Sequence, residues 1–140
     1  MTNSTQDMPR IRLDIDKMKR VFANFIKNAV EAMPQGGKLA ISSRPIESGV
    51  EFTFIDSGVG MTKEVMDKIW TPFFTTKAKG MGLGLAICRR IIDAHQGKVS
   101  VESRIDGGTT FTITSRLKLT DCLRFYVVSC LKLMSPTVHI

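Results

Sequence analysis

Apolar residues in the first third of the chain recur at helical spacing. From Met18 they fall at Val21, Phe22, Phe25, Ile26, Ala29, Val30 and Met33, an i, i+3, i+4, i+7 stripe that predicts an amphipathic helix. Asp16 is placed to cap its start, and Pro34-Gln35-Gly36-Gly37 ends it. Ahead of this helix, residues 1–7 read as a flexible lead, and Ile11, Leu13 and Ile15 alternate as a short strand does. Beyond the glycine turn the period changes to two. Residues 38–43 and 50–55 form two alternating runs whose Pro-, Ser- and Gly-containing connection suits a hairpin. Thr62 caps a predicted short helix through Ile69 and Trp70, after which residues 71–81 show no period and read as a mobile loop. A further helix opens at the glycines around Gly82 and carries Leu83, Ile87, Ile91 and Ala94 on one face. It closes at His95-Gln96-Gly97, with Gly97 as the left-handed stop. A last hairpin, residues 98–103 and 109–115, turns at Asp106-Gly107-Gly108.

Helices interleaved with hairpins predict an α/β fold, a two-layer sandwich in which helices cover one face of a mixed sheet. The expected organisation is a lead over residues 1–9, one domain over residues 10–117 and an appendage over residues 118–140. The appendage contains CLRFYVVSCLKLM, apolar but interrupted by Arg124 and Lys132 and too short to span a bilayer. At 140 residues, 43% hydrophobic and 24% charged, the chain suits a single core and is too apolar for disorder. The net charge of +7 is spread along the chain with no interleaved stacking aromatics, which disfavours nucleic acid and leaves room for a small phosphorylated ligand. Cys88, Cys122 and Cys130 are odd in number and form no C-x-x-C pair, so they encode neither a zinc site nor a disulfide scaffold. With a polar N-terminus and no apolar run of membrane length, the chain reads as cytoplasmic, with no membrane contact by this segment.

Three features carry candidate chemistry. Asn24, Asn28 and Glu31, spaced i, i+4 and i+7, share one ridge of the first helix and present the hard oxygen donors that Mg²⁺ takes. The bland alternative is a solvated helix face. Asp56 ends a strand and is followed by Gly58 and Gly60, where a buried carboxylate can accept a hydrogen bond from an exocyclic amino group such as that of adenine. The alternative there is an ordinary Asp-Gly turn. Gly80-Met81-Gly82-Leu83-Gly84 opens a helix, whose bare N–H groups and positive dipole end suit a phosphate. Its spacing lacks the last glycine of the dinucleotide fingerprint, and no Walker pattern is present.

These features in this order resemble the ATP-binding domain of sensor histidine kinases, within the gyrase, Hsp90, histidine kinase and MutL superfamily. NFIKNAVEAM is similar to the family's asparagine box, DSGVGM to its first glycine box, WTPFFTTK to its phenylalanine box, GMGLGL to its second glycine box and GGTTFTI to its closing hairpin, from about Asp16 to Thr114. The resemblance implies a Bergerat-type fold with ATP and Mg²⁺ as cofactors. By it, Asn28 is the Mg²⁺ ligand, Asn24 faces the phosphates, and Asp56 reads adenine with Gly58 and Gly60 making room for the base. Gly80, Gly82, Leu83 and Gly84 form the phosphate turn. Lys77 and Lys79 lie in an ATP lid anchored by Phe73 and Phe74, and Thr109 and Thr110 belong to the last motif, with Thr110 counted among the nucleotide-binding residues. Asn24, Asn28 and Lys77 are the catalytic candidates. Superfamily members that hydrolyse ATP carry a glutamate where this chain has Asn24, and an amide is no general base, which favours phosphoryl transfer to a protein.

The implied partners are ATP, a histidine-bearing dimerisation domain in cis or in trans, and a downstream response regulator. Neither His95 nor His139 reads as the acceptor: His95 suits a helix C-terminus, and the dimerisation helices are absent, so the chain reads as a fragment. Two rivals remain at this point, an anti-sigma-type serine kinase, against which WTPFFTTK argues, and a non-enzymatic docking module.

Overall fold

A computed structural model of the chain describes residues 15–47, 49–75, 82–115 and 137–139. The elements follow in the order α1 (Ile15–Glu31), β1 (Lys38–Ile46), β2 (Gly49–Asp56), α2 (Lys63–Lys68), α3 (Gly84–Ala94), β3 (Lys98–Ser103), β4 (Thr109–Ser115) and β5 (Thr137–His139). The lead, Ile11 and Leu13, the segment holding Lys77, Lys79 and Gly80, and Cys122 and Cys130 lie outside the described residues. Ile15, expected at the end of a strand, opens α1. Asp16 therefore stands inside the first turn, where its carboxylate complements the helix dipole, and does not cap the helix.

The sheet order is β3-β4-β2-β1-β5, and every described pairing is antiparallel. This corrects the expected mixed sheet. The crossover through α2 and α3 returns β3 parallel to β2, but β4 folds back between the two, so they never pair. The two-layer α/β arrangement stands. β5 adds a short edge strand from the C-terminal appendage, pairing with Lys38 to Ala40 of β1.

Alternation sorts the sheet faces. Along β2, Val50, Phe52, Phe54 and Asp56 are buried, and along β4 Thr109, Phe111 and Ile113 are. The helices cover this face with Met18, Val21 and Phe25 of α1 and Cys88, Ile91 and Ile92 of α3. Aromatic rings interlock across the layer: Phe25 lies 4.8 Å from Phe111, and Phe22 meets Phe52 edge-on at 5.1 Å between centroids. Val30, included in the expected apolar stripe, is 39% exposed, because it follows Ala29 by about 100° around the helix and turns off the core face.

The helix and hairpin ends frame the functional face. Thr62 caps α2 by accepting a hydrogen bond from the Val65 N–H, as expected. At the end of α3 the left-handed residue is Gln96 (φ 56°) and not Gly97. The Gly97 N–H reaches the Ile92 carbonyl and the Gln96 N–H that of Asp93, the bond pair of a Schellman motif. Gly97 is required for proximity: a Cβ there would lie 2.6 Å from the Thr114 carbonyl oxygen.

Candidate functional site

A cavity of about 1060 Å³ opens between α1, the start of α3 and the ends of β2 and β4. The end that holds Asp56 is set by the sheet. Asp56 is the fourth buried position in the β2 alternation, so the period that buries Val50, Phe52 and Phe54 also carries this carboxylate into the helix-facing layer. It is 7% exposed and pairs in register with Thr109. Oδ1 accepts hydrogen bonds from the Gly58 N–H (2.9 Å) and the Thr109 N–H (3.2 Å). Burial pushes the Asp56 carboxyl above its ordinary pKa, and these two N–H groups oppose the rise. Gly60, Met61 and Phe111 complete this end of the lining.

The other end is built from one helix face. Arg20, Asn24, Asn28 and Glu31 of α1 all line the cavity, so the ridge expected from the i, i+4, i+7 spacing exists. The Asn24 Nδ2 donates to Cys88 Sγ at 3.3 Å, bracing α1 against α3, and burial raises the pKa of that thiol. Lys27, also lining, approaches Glu31 at 4.0 Å. Opposite them, Gly82, Leu83 and Gly84 bring the N-terminus of the 11-residue α3 to the cavity; Leu83 is its N-cap and makes no side-chain cap bond. The Phe73 N–H donates to the Gly82 carbonyl at 2.9 Å, which ties together the two chain stretches flanking residues 76–81. The two phenylalanines separate: Phe74 packs on the core and lines the cavity, whereas Phe73 (φ 66°) is 73% exposed.

Three expectations need correction. Thr110 does not line the cavity; it pairs with exposed Ile55 on the opposite sheet face, and its neighbour Thr109 occupies the site because alternation puts odd positions of β4 inward. Gly58 does not line this cavity either. A Cβ at Gly58 would meet the Ala32 carbonyl at 2.6 Å and Asp56 Oδ1 at 2.9 Å, so it makes room for the end of α1 and for the carboxylate. Gly60 does line it, but its φ of +70° and a would-be Cβ 1.7 Å from the Arg104 carbonyl oxygen tie its lack of a side chain to the β3–β4 turn.

His95 is buried at the end of α3, with Nδ1 2.7 Å from the Ile91 carbonyl oxygen, and lies away from the cavity, in keeping with its expected structural place. Arg20, Met61 and Ser103 were not singled out in the sequence. Arg20 sits one turn before Asn24 on the same ridge, a signal that the spacing carried; Ser103 is one polar residue in an alternating strand and carries no such signal.

A family model described as histidine kinase-, DNA gyrase B- and HSP90-like ATPase matches residues 13–119. Sporulation kinase E of Bacillus subtilis (strain 168) is 40% identical over 109 residues, covering 77% of this chain and 15% of that protein. The sensor histidine kinase ZraS of Escherichia coli (strain K12) is 37% identical over 113 residues, covering 81% of this chain and 24% of that protein. The chain thus spans under a quarter of the length of these relatives. Among solved structures, the catalytic domain of histidine kinase ThkA superposes with a TM-score of 0.66 at 40% identity, over 74% of this chain and 68% of that one. Full-length ShkA in complex with AMPPNP superposes with a TM-score of 0.68 at 29% identity, over 81% of this chain and 24% of that one.

Proposed function

The chain belongs to the histidine kinase-, DNA gyrase B- and HSP90-like ATPase family, and from that premise we propose that it is the ATP·Mg²⁺-binding catalytic portion of a two-component sensor histidine kinase, acting in the cytoplasm. It passes the γ-phosphoryl group to a histidine on a dimerisation domain, from which a response regulator takes it. The observation that carries this reading is one cavity with a buried carboxylate at one end and an amide-rich helix ridge facing a helix N-terminus at the other. The AMPPNP in the ShkA complex supports an adenine nucleotide as the ligand.

In this reading the Asp56 carboxylate accepts from the amino group of adenine while Thr109 and Met61 border the base. Asn28 holds Mg²⁺ through its amide oxygen, with Asn24 and Glu31 on the same ridge toward the phosphates. Among the described residues no cluster of three or more His, Cys, Asp or Glu is present, and none is needed, since one or two protein oxygens suffice for Mg²⁺ beside phosphates and waters. A Mg²⁺ held there would supply neutralisation of charge on the transferring phosphoryl group. The N-terminus of α3, with Gly82, Leu83 and Gly84, receives phosphate oxygens. Roles for Lys77 and Gly80 toward the phosphates rest on the sequence resemblance alone. Asn24 offers an amide where hydrolysis needs a base, so the chain positions ATP and leaves the nucleophile to its partner.

Trp70 stands edge-on to Phe111, a cavity residue, at 6.1 Å, and its fluorescence follows the titration. ATP binds with Mg²⁺ dependence and GTP binds weakly, and Asp56→Ala abolishes the signal. A dimerisation domain added with labelled ATP acquires acid-labile phosphate. Absence of ATP binding by the folded chain overturns the proposal, and acid-stable phosphate on the partner redirects it to serine.

A further inference from the structure

Ser103, at the end of β3, lies beside the base-like end of the cavity without lining it. Its Oγ accepts a hydrogen bond from the Met61 N–H at 2.8 Å, donates to the Gly108 carbonyl at 2.9 Å and stands 2.8 Å from Thr109 Oγ1. A serine hydroxyl has one proton and two lone pairs. The Met61 amide can only donate and the Gly108 carbonyl can only accept, so the serine proton goes to Gly108. The third contact is then one in which Thr109 donates and Ser103 accepts. All three valences of Ser103 are filled, and the only hydroxyl proton of Thr109 is used.

We propose that Ser103 is a positioning residue for base selection: it holds the Met61 stretch against the β3–β4 turn and fixes the polarity of the Thr109 hydroxyl, so that Thr109 offers the cavity lone pairs only. This rests on the adenine-nucleotide reading given above. Thr109 is buried, lines the cavity and pairs in register with Asp56, whose carboxylate is likewise an acceptor. Toward the six substituent of the purine these two side chains therefore present acceptors only. An amino group finds partners there, and a keto oxygen finds none, which leaves buried polar groups unmatched when the wrong base enters. Loss of the Ser103 hydroxyl frees the Thr109 proton to donate and admits the keto base.

ATP and inosine triphosphate differ on one edge of the purine, an amino group beside a bare N1 in the first and a keto oxygen beside an N1–H in the second, so the ratio of their dissociation constants reads the base end alone. In Ser103→Ala this ratio falls about tenfold, the size of one hydrogen bond lost or gained, and Ser103→Thr restores it. Equal weakening of both nucleotides, as a purely structural residue gives, overturns the proposal. An unchanged ratio overturns it as well. If the unmodified chain binds neither nucleotide or does not prefer ATP, the nucleotide reading itself fails; if it prefers ATP and Ser103→Ala keeps that preference, only the role of Ser103 fails. Should Ser103→Ala not fold, as judged by its thermal transition, Thr109→Val replaces it: its ratio must fall, and an unchanged ratio overturns the proposal.

Discussion

The two ends of the cavity are made in different ways. At the base end the fold itself supplies the site: Asp56 is held by two backbone N–H groups, and Gly60 and Gly108 are glycines because a Cβ would lie 1.7 Å and 2.0 Å from carbonyl oxygens of the neighbouring strand ends. Both also have left-handed φ angles, of +70° and +76°. At the other end, side chains on one face of α1 confront the start of α3, and Asn24 also braces the two helices through Cys88. Folding and recognition share atoms at the base end and are less entangled along the α1 ridge. Substitutions should divide accordingly, those that crowd the backbone at the base end destabilising the chain and those on the ridge acting first on binding.

The largest effect is expected at Gly60. Gly60→Ala forces a side chain into a left-handed position against the Arg104 carbonyl and lowers stability by about 3 kcal/mol or more, a large share of a domain's total. The urea midpoint measures it, and an unchanged midpoint removes the claim that the base end is built by the backbone. Asn28→Ala comes next and behaves in the opposite way. Mg²⁺-dependent ATP binding weakens about 100-fold, the upper range for a disturbed metal site, while the loss of stability stays well below that of Gly60→Ala. Parallel losses of binding and stability in Asn28→Ala would erase the distinction between the two ends.

Asp56 tests the shared end with the sign reversed. Burial holds its folded pKa above the unfolded one, so the folded chain binds that proton more tightly. The stability this provides is fully present below the unfolded pKa and is lost as pH rises through the folded pKa. Asp56→Asn keeps an acceptor for the Gly58 and Thr109 N–H groups and has no charge to bury. At neutral pH it therefore melts above the unmodified chain, and the acid-side slope of stability against pH flattens, while ATP binding is lost. A lower melting temperature at neutral pH would mean that the carboxylate is stabilised by contacts other than those two N–H groups. Binding by the unmodified chain weakens as pH falls through the raised pKa, because the acceptor is then protonated.

The sequence exposes features that repeat and hides those that depend on a neighbour. Both hairpins were legible because alternation and the Asp106-Gly107-Gly108 turn are local, and residues 98–103 and 109–115 are the observed bounds of β3 and β4. The ridge of Asn24, Asn28 and Glu31 was legible because helical spacing fixes a shared face. The sheet's pairing was not, since nothing local says that β4 inserts between β2 and β3. Thr109 and Thr110 are identical in type, and only the register with Asp56 and Ile55 decides which one faces the cavity. Gly58 and Gly97 look like turn glycines, yet the atoms that exclude a side chain there belong to Ala32 and Thr114, far away in the sequence.

Gly84 gives the smallest effect and the sharpest division between fold and ligand. Its neighbour Gly82 is held by the fold, with φ +70° and a would-be Cβ 2.5 Å from the Phe73 carbonyl carbon, so Gly82→Ala strains the backbone whatever binds there. At Gly84 the nearest atom to an added Cβ is Asn24 Oδ1 at 3.5 Å, an ordinary contact, and the backbone is helical. Among the described residues nothing requires glycine at this position, and a helix would be steadier with alanine by about 0.5 kcal/mol. In the nucleotide reading, glycine here lets a phosphate come close to the backbone between α1 and α3. Gly84→Ala should raise the urea midpoint slightly and weaken ATP about fivefold, close to 1 kcal/mol, with adenosine affinity unchanged because its contacts lie at the other end. Unchanged ATP affinity in this variant would place the phosphates away from the start of α3.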